Sequence, residues 1–378
     1  MHILVVALHR PIEPTGVCRH AANLTKCLVE KAEIAQVTVV TGTWQQGYFQ
    51  NIFFSDEKKI EVIGIDIENT SWSRNLWFLF GLPKLAKQLQ PDLIHLSFPL
   101  PLFKWFFDCP IVATIHDLYP YKIPENFGRH RALLNRLFLW QCIGNSNALV
   151  CVSQTTLDDL NFYFPRIRSQ PEKAQVIYNY VDFERIEPKS LAILEDQAEP
   201  SFILCVGQHR KNKNIDLLIQ SYALLQRDRQ IDARTKLVIV GSIGPETEKL
   251  KQSIEQLELG DAILLLSAID DRELCWLYQK CRLFVIPSTL EGFCIPLVEA
   301  LYFSCQVVCS DIPVFREIGS SSCIYFDLAG DPVANMAQSI GGALAATVPT
   351  PTTEDNRFTK TQSATQYLNL YLTLRSIF

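Results

Sequence analysis

Glycine is scarce in this sequence. Its 378 residues include 16 Gly, about 4% against a usual ~7%, so each glycine that survives at a strand end is informative. Basic excess is lacking too: 35 Lys and Arg against 40 Asp and Glu leave a formal net charge of −5, without the electrostatic footprint of a nucleic-acid binder. No uninterrupted run of about 18 apolar residues occurs, so no membrane-spanning helix is expected. G-x-G-x-x-G after the first strand, G-x-x-x-x-G-K-[ST], H-E-x-x-H, G-x-S-x-G and D-x-D are all missing. Their absence argues against a standard dinucleotide site, a P-loop, a zinc protease and a hydrolase nucleophile elbow. The 12 Cys include no C-x-x-C pair and no histidine spaced to complete a zinc site. Most lie in apolar runs, where a thiol acts as a small hydrophobe, which suits a reducing compartment. The apolar stretch at Met1 to Leu8 is too short for a secretory signal and reads as a buried strand. A cytoplasmic protein with no metal site is the expectation.

What is present is a globular composition, 48% hydrophobic and 20% charged, in a chain long enough for two domains. Short apolar runs alternate with helix-like stretches, the pattern of parallel βα units covered on both faces. The candidate strands of the first half are residues 2–8, Val37–Thr41, Ile60–Ile65, Asp92–His95, Ile111–Ile115, Ala148–Val152 and Gln175–Ile177. Those of the second half are Phe202–Val206, Lys236–Val240, Ala262–Leu266, Leu283–Ile286, Gln306–Cys309 and Cys323–Phe326. The predicted fold class is α/β: two doubly wound, Rossmann-like domains over 1–186 and 202–355, with a polar linker at 187–201. A threonine- and proline-rich stretch at 347–354 and a closing helix over 356–378 follow. Ligands of such sheets bind beyond the carboxyl ends of the strands, so a cleft between the two domains is the expected site.

The most informative segment runs from Pro287-Ser288 through Glu291-Gly292-Phe293-Cys294-Ile295-Pro296 to Glu299-Ala300. It follows a buried strand and opens a helix, whose first amides around Phe293 to Ile295 suit a diphosphate. Gly292 lets the chain turn closely. Glu291 precedes the helix and Glu299 lies within it, so the two carboxylates address opposite ends of one ligand and accept from paired hydroxyls, as on a ribose or hexose. Read alone, both could equally be helix-start and surface charges.

This segment resembles the E-x7-E signature of retaining glycosyltransferases of the GT-B fold, family 4, and other segments fall in that family's order. Thr15-Gly16-Val17 resembles its N-terminal glycine loop, Thr114-Ile115-His116 its T-x-H strand end, and Phe202–Gly207 followed by Lys213-Asn214 its first C-domain strand and basic loop. The residues 356–378 resemble its closing helix, which packs back on the N-domain. The resemblance implies a GT-B fold with two Rossmann-like domains facing a central cleft. It implies a metal-independent hexosyltransferase that uses no cofactor beyond its UDP- or GDP-sugar donor and acts on a hydroxyl of a glycan or lipid-linked acceptor. Residue by residue, it implies Gly16, Gly207, Arg210, Lys213, Gly292, Phe293, Cys294, Ile295 and Glu299 at the donor. His116, Glu291 and Lys213 would carry the chemistry: His116 near the anomeric carbon, Glu291 on the transferred sugar, Lys213 on the departing diphosphate, with Glu299 on the ribose.

Five positions depart from the family's pattern. Cys294, Tyr180 and Ser267 stand where relatives tend to carry glycine, and Gln208 where they carry arginine; Asn212 also replaces a residue some relatives have as arginine. Cys294, Gln208 and Asn212 keep open a degenerate non-catalytic binding subunit, and a sugar-nucleotide epimerase or hydrolase of the GT-B fold is a second alternative. The aromatic segments Ser71–Leu85 and Pro99–Phe107 fit core packing better than an interfacial helix, because few basic residues accompany them. Peripheral contact of the N-domain with the inner membrane face is the alternative that the resemblance implies.

Overall fold

The computed structural model describes residues 1–12, 16–55, 57–124, 128–184, 186–195, 201–267, 269–346 and 356–378. Part of the expected linker, Thr15 of the glycine loop and the threonine- and proline-rich stretch therefore lie outside the described residues. The chain divides into two compact units, Met1–Tyr180 with Asn356–Phe378, and Val181–Asp355. The break at 180/181 comes ahead of the expected linker: residues 187–195 belong to the second unit, where the Lys189 amide donates to the Arg272 carbonyl at 3.1 Å.

In the first unit, seven parallel strands are β1 (His2–Val6), β2 (Gln36–Gly42), β3 (Ile60–Ile65), β4 (Leu93–Leu96), β5 (Ile111–Ile115), β6 (Ala148–Cys151) and β7 (Ala174–Val176), ordered β3-β2-β1-β4-β5-β6-β7. Strand β1 is central, with Val5 opposite Val39 on β2 and His95 on β4. Alternation divides its residues between two cores. Ile3, Val5 and Ala7 pack with the helix Gly16–Val29 and the closing helix Lys360–Ile377; Leu4, Val6 and Leu8 pack with Phe78, Leu82 and Leu139 on the other face. Both faces are covered, which is why these strands read as unbroken apolar runs rather than alternating ones. The closing helix starts at Thr359, whose hydroxyl accepts from the Gln362 amide.

In the second unit, six parallel strands are β8 (Phe202–Val206), β9 (Lys236–Val240), β10 (Ile263–Leu266), β11 (Leu283–Ile286), β12 (Val307–Ser310) and β13 (Cys323–Phe326), ordered β10-β9-β8-β11-β12-β13. The order reverses between β8 and β11, and the loops after two such neighbouring strands are where doubly wound sheets generally bind ligands. Both sheets are doubly wound α/β, as in the GT-B fold. All 12 cysteines are free thiols, and among the described residues no helix is long and apolar enough to cross a membrane.

Candidate active site

In the second unit, the two loops at the switch point are stitched together by backbone carbonyls and two asparagines. The Asn212 carbonyl accepts from the Thr289 amide at 2.9 Å, and its side-chain amide donates to the Leu290 carbonyl at 3.1 Å. Asn214, in the left-handed region at φ 50°, donates to the Pro287 carbonyl at 2.9 Å. This stitching sets the Lys213 ammonium on the Glu291 carboxylate as an ion pair. Glu291 is 9% exposed. Burial alone would pull the Lys213 pKa down, but the Glu291 carboxylate, Cys294 and the hydrogen bond to Glu291 outweigh it and hold the pKa above the usual value. Lysine is thus a fixed positive charge here, suited to an anionic leaving group. Asn212, which departs from the family's arginine, has its own structural task in this chain.

Gly207 follows β8 with its amide donating to the Val240 carbonyl at 2.8 Å, and a Cβ there would sit 3.6 Å from the Lys213 side chain, an ordinary contact. The close approach lies one strand over. A Cβ on Gly241 would fall 1.9 Å from the Gly207 carbonyl oxygen, so Gly241 is the glycine this strand end requires. Arg210 is exposed and is not brought onto the Lys213–Glu291 pair. Gly292 and Ile295 are half-buried, and Phe293 and Cys294 are buried. Cys294 is the residue before the helix Ile295–Tyr302 and lies at φ 82°, ψ 79°, a conformation that glycine adopts freely and other residues rarely. Its turn is therefore the turn a glycine would make. Burial, and then the Glu291 carboxylate, push its thiol pKa up, so it stays an uncharged group beside the pair. Glu299, 6% exposed, lies in the helix, and the Tyr278 hydroxyl donates to its Oε2 at 2.8 Å.

In the first unit, His116 sits just past β5. Its Nε2–H donates to the Ser97 carbonyl at 2.7 Å, which leaves Nδ1 as the acceptor nitrogen of the neutral ring. The His20 ring abuts it edge-on at 4.8 Å. A polar chain runs behind them through the sheet. His20 Nδ1 meets Asn179 Oδ1 at 2.6 Å and its Nε2 the Thr114 hydroxyl at 3.2 Å; the same hydroxyl meets His95 Nε2 at 2.8 Å, and His95 Nδ1 meets the Tyr371 hydroxyl at 2.6 Å. The carboxamide oxygen of Asn179 only accepts, so it selects one direction for every proton: Tyr371 to His95, His95 to Thr114, Thr114 to His20, His20 to Asn179. Burial drives these rings to the neutral form, lowering His116 to about 4 and His95 to about 3, with His20 well below its usual value. Gly16 opens the first helix, and a Cβ there would meet open space, so packing does not account for glycine at 16.

Sequence reasoning missed Tyr278, Asn214 and the His20–Thr114–His95–Tyr371 chain, because each acts through partners distant along the chain. It also missed the helix Arg129–Asn145, which carries Leu133, Leu134, Leu137 and Trp140 exposed on its surface. The aromatic segments divide: Phe78, Leu82, Leu100 and Leu102 are core, whereas Trp72, Phe80, Trp105 and Phe106 are exposed. Among the described residues no group of three or more His, Cys, Asp or Glu could hold a metal ion.

The two doubly wound parallel sheets have the GT-B architecture, and the second carries the half-buried Lys213 paired with the buried Glu291, with the buried Glu299 eight positions on. Residues 14–185 match the profile of Glycosyltransferase Family 4 and residues 187–321 that of Glycosyl transferases group 1. The chain is 30% identical over 322 residues to the O-antigen chain mannosyltransferase RfbU of Salmonella typhimurium, covering 82% of each. It is 36% identical over 183 residues to an N-acetylgalactosaminyltransferase of Campylobacter jejuni that acts on a diphospho-undecaprenol-linked sugar, covering 48% of the chain and 46% of that protein. Its fold is similar to that of Anabaena Alr3699/HepE, solved with UDP and glucose, at a TM-score of 0.66 and 18% identity over 100% of this chain and 98% of the other. The chain belongs to the family 4 glycosyltransferases.

Proposed function

We propose that this chain is a retaining, metal-independent hexosyltransferase that moves a hexose from a nucleoside diphosphate sugar to a hydroxyl of a glycan or lipid-linked acceptor. The observation that carries the reading is the Lys213–Glu291 pair at the switch point of the second sheet. Lys213 meets the charge of the departing diphosphate, Glu291 holds the transferred sugar and Glu299 the ribose, with Gly207, Gly292, Phe293, Cys294 and Ile295 presenting backbone to the phosphates and Arg210 supplying charge at the rim. From the first unit, His116 offers Nδ1 to a sugar hydroxyl, and Gly16 leaves its side open to the donor. The acceptor oxygen bonds to the anomeric carbon as the bond from that carbon to the phosphate oxygen breaks, and the acceptor proton passes to that phosphate oxygen. Attack and departure share one face, so the anomeric configuration is kept. Lys213 supplies the cation that a metal would otherwise provide.

The names of the mannosyltransferase and of the N-acetylgalactosaminyltransferase support a surface-polysaccharide or lipid-linked acceptor, and the UDP and glucose in the Anabaena structure support the donor class. Changing Glu291 to Ala is expected to lower transfer by about 10²- to 10³-fold, the usual loss when a group aimed at the transition state is removed. Normal turnover in that variant overturns the assignment. Product NMR checks retention, and turnover unchanged by a chelator checks metal independence.

Peripheral membrane contact through the first unit forms part of the same reading. The helix Arg129–Asn145 already buries Ala132, Leu139, Cys142 and Ile143, yet Leu133 is 68% and Trp140 61% exposed on it. With Leu137 they form one stripe at helical spacing. The Lys104 amide donates to the Asn145 side chain at 3.1 Å, which joins the exposed Trp105 and Phe106 to the end of this helix. Tryptophan and leucine beside lysine suit the headgroup boundary of an anionic bilayer. Co-sedimentation with phosphatidylglycerol vesicles should fall when Leu137 and Trp140 are both changed to Glu; equal binding contradicts the contact.

A further inference from the structure

Glu299 is held by a side chain outside the signature segment. The helix Asp271–Lys280 begins at a capping box, in which the Asp270 carboxylate accepts from the Glu273 amide at 2.8 Å and the Glu273 carboxylate accepts from the Asp270 amide at 3.0 Å. This fixed start directs Tyr278 inward. Its ring stacks on Phe303 at 5.6 Å and 11°, and tilts against Phe284 of β11 at 5.6 Å. Its hydroxyl donates to Glu299 Oε2 at 2.8 Å, and both residues are buried. Burial, and then the charge of Glu299, hold the phenol pKa well above its usual value, so it remains a donor throughout the working range. A buried carboxylate needs such a donor to offset its lost hydration; the aromatic stack holds the phenol beside Glu299, with the Pro296 carbonyl a longer 3.4 Å away.

We infer that Tyr278 is a positioning residue for donor binding: by fixing the plane and rotamer of the Glu299 carboxylate, it sets the preference for ribose over deoxyribose in the nucleoside diphosphate. The inference rests on the reading of Glu299 as the ribose ligand. Tyr278 touches no ligand in this role. Its contribution is uniform binding, felt equally before and during the reaction, so it belongs in KM rather than kcat.

The test is calorimetry on the full chain with UDP, GDP and their 2′-deoxy counterparts, comparing wild type, Tyr278→Phe, Glu299→Gln and the double variant. The Tyr278→Phe variant should bind the ribose form about tenfold more weakly, about 1.4 kcal/mol, and the deoxy form almost as wild type does. Its donor KM should rise with kcat unchanged. Because Tyr278 acts through Glu299, the double variant should bind no worse than Glu299→Gln alone. Binding of inorganic pyrophosphate, which has no ribose, should be the same in all four proteins and reports an intact site. If Glu299→Gln loses the ribose preference while Tyr278→Phe keeps it, Glu299 stands and Tyr278 falls. Additive losses in the double variant also overturn the inference. If Glu299→Gln keeps the preference, the reading of Glu299 fails first.

Discussion

Cys294 shows how a residue can depart from a family's glycine while keeping the glycine's backbone. At φ 82° an L residue pays about 1–2 kcal/mol, partly offset here by burial of the thiol. Changing it to Gly trades that strain for chain entropy, so stability should stay within about 1 kcal/mol of wild type. Changing it to Val, branched at Cβ, should cost more than about 2 kcal/mol at the same position; urea unfolding of both variants checks the contrast. Lys213 is the second residue whose removal has a definite sign. Lys213→Met leaves the Glu291 carboxylate without its cation, and a loss of about 1–3 kcal/mol in unfolding free energy is expected, together with lost transfer. Glu291 and Glu299 could be singled out by their spacing, and Lys213 and His116 by their resemblance to family segments; the structure pairs Lys213 with Glu291. The contacts of Asn212 and Asn214 were not legible. Their partners are carbonyls at Leu290 and Pro287, and nothing near 212 or 214 in the chain points to them.

Among elements, the strands were the most legible. Each of the thirteen expected runs is a strand in the described residues, with ends that shift by a residue or two, because strands buried on both faces leave continuous apolar runs between turn residues. Contacts between elements were less so. The demand for glycine at 241 comes from the Gly207 carbonyl on the neighbouring strand, and Gly241→Ala should lower stability by more than about 2 kcal/mol, whereas Gly207→Ala should be tolerated by the fold; thermal melts of the two separate these outcomes. The exposed Leu133, Leu137 and Trp140 of the helix Arg129–Asn145 were not singled out, because an apolar residue in a helical stretch carries no mark of whether its side stays exposed.

At the scale of the whole molecule, the closing segment 356–378 belongs to the first unit, and Tyr371 joins it to the histidine chain through His95. This connection spans nearly the full sequence and leaves no local signal. It has a consequence for pH. His20, His95 and His116 are neutral in the fold, while in the unfolded chain each titrates near 6.5. Between that value and the folded values of about 3 and about 4, the unfolded chain binds more protons. Stability is therefore full above pH 6.5, falls as pH drops below it, and stops falling on this account once the folded values are passed. Urea midpoints between pH 7.5 and 4.5 should decline, and the decline should be smaller in His95→Gln.

The central claim is that the second unit holds a nucleoside diphosphate sugar through the Lys213–Glu291 pair. Calorimetric titration of the full chain with UDP, GDP and their hexose conjugates tests it most directly. The account predicts saturable binding of at least one of these by the wild type, with at least about tenfold weaker binding, some 1.4 kcal/mol, in Lys213→Ala. Absence of binding by every member of the panel, or equal affinity in the variant, would contradict it.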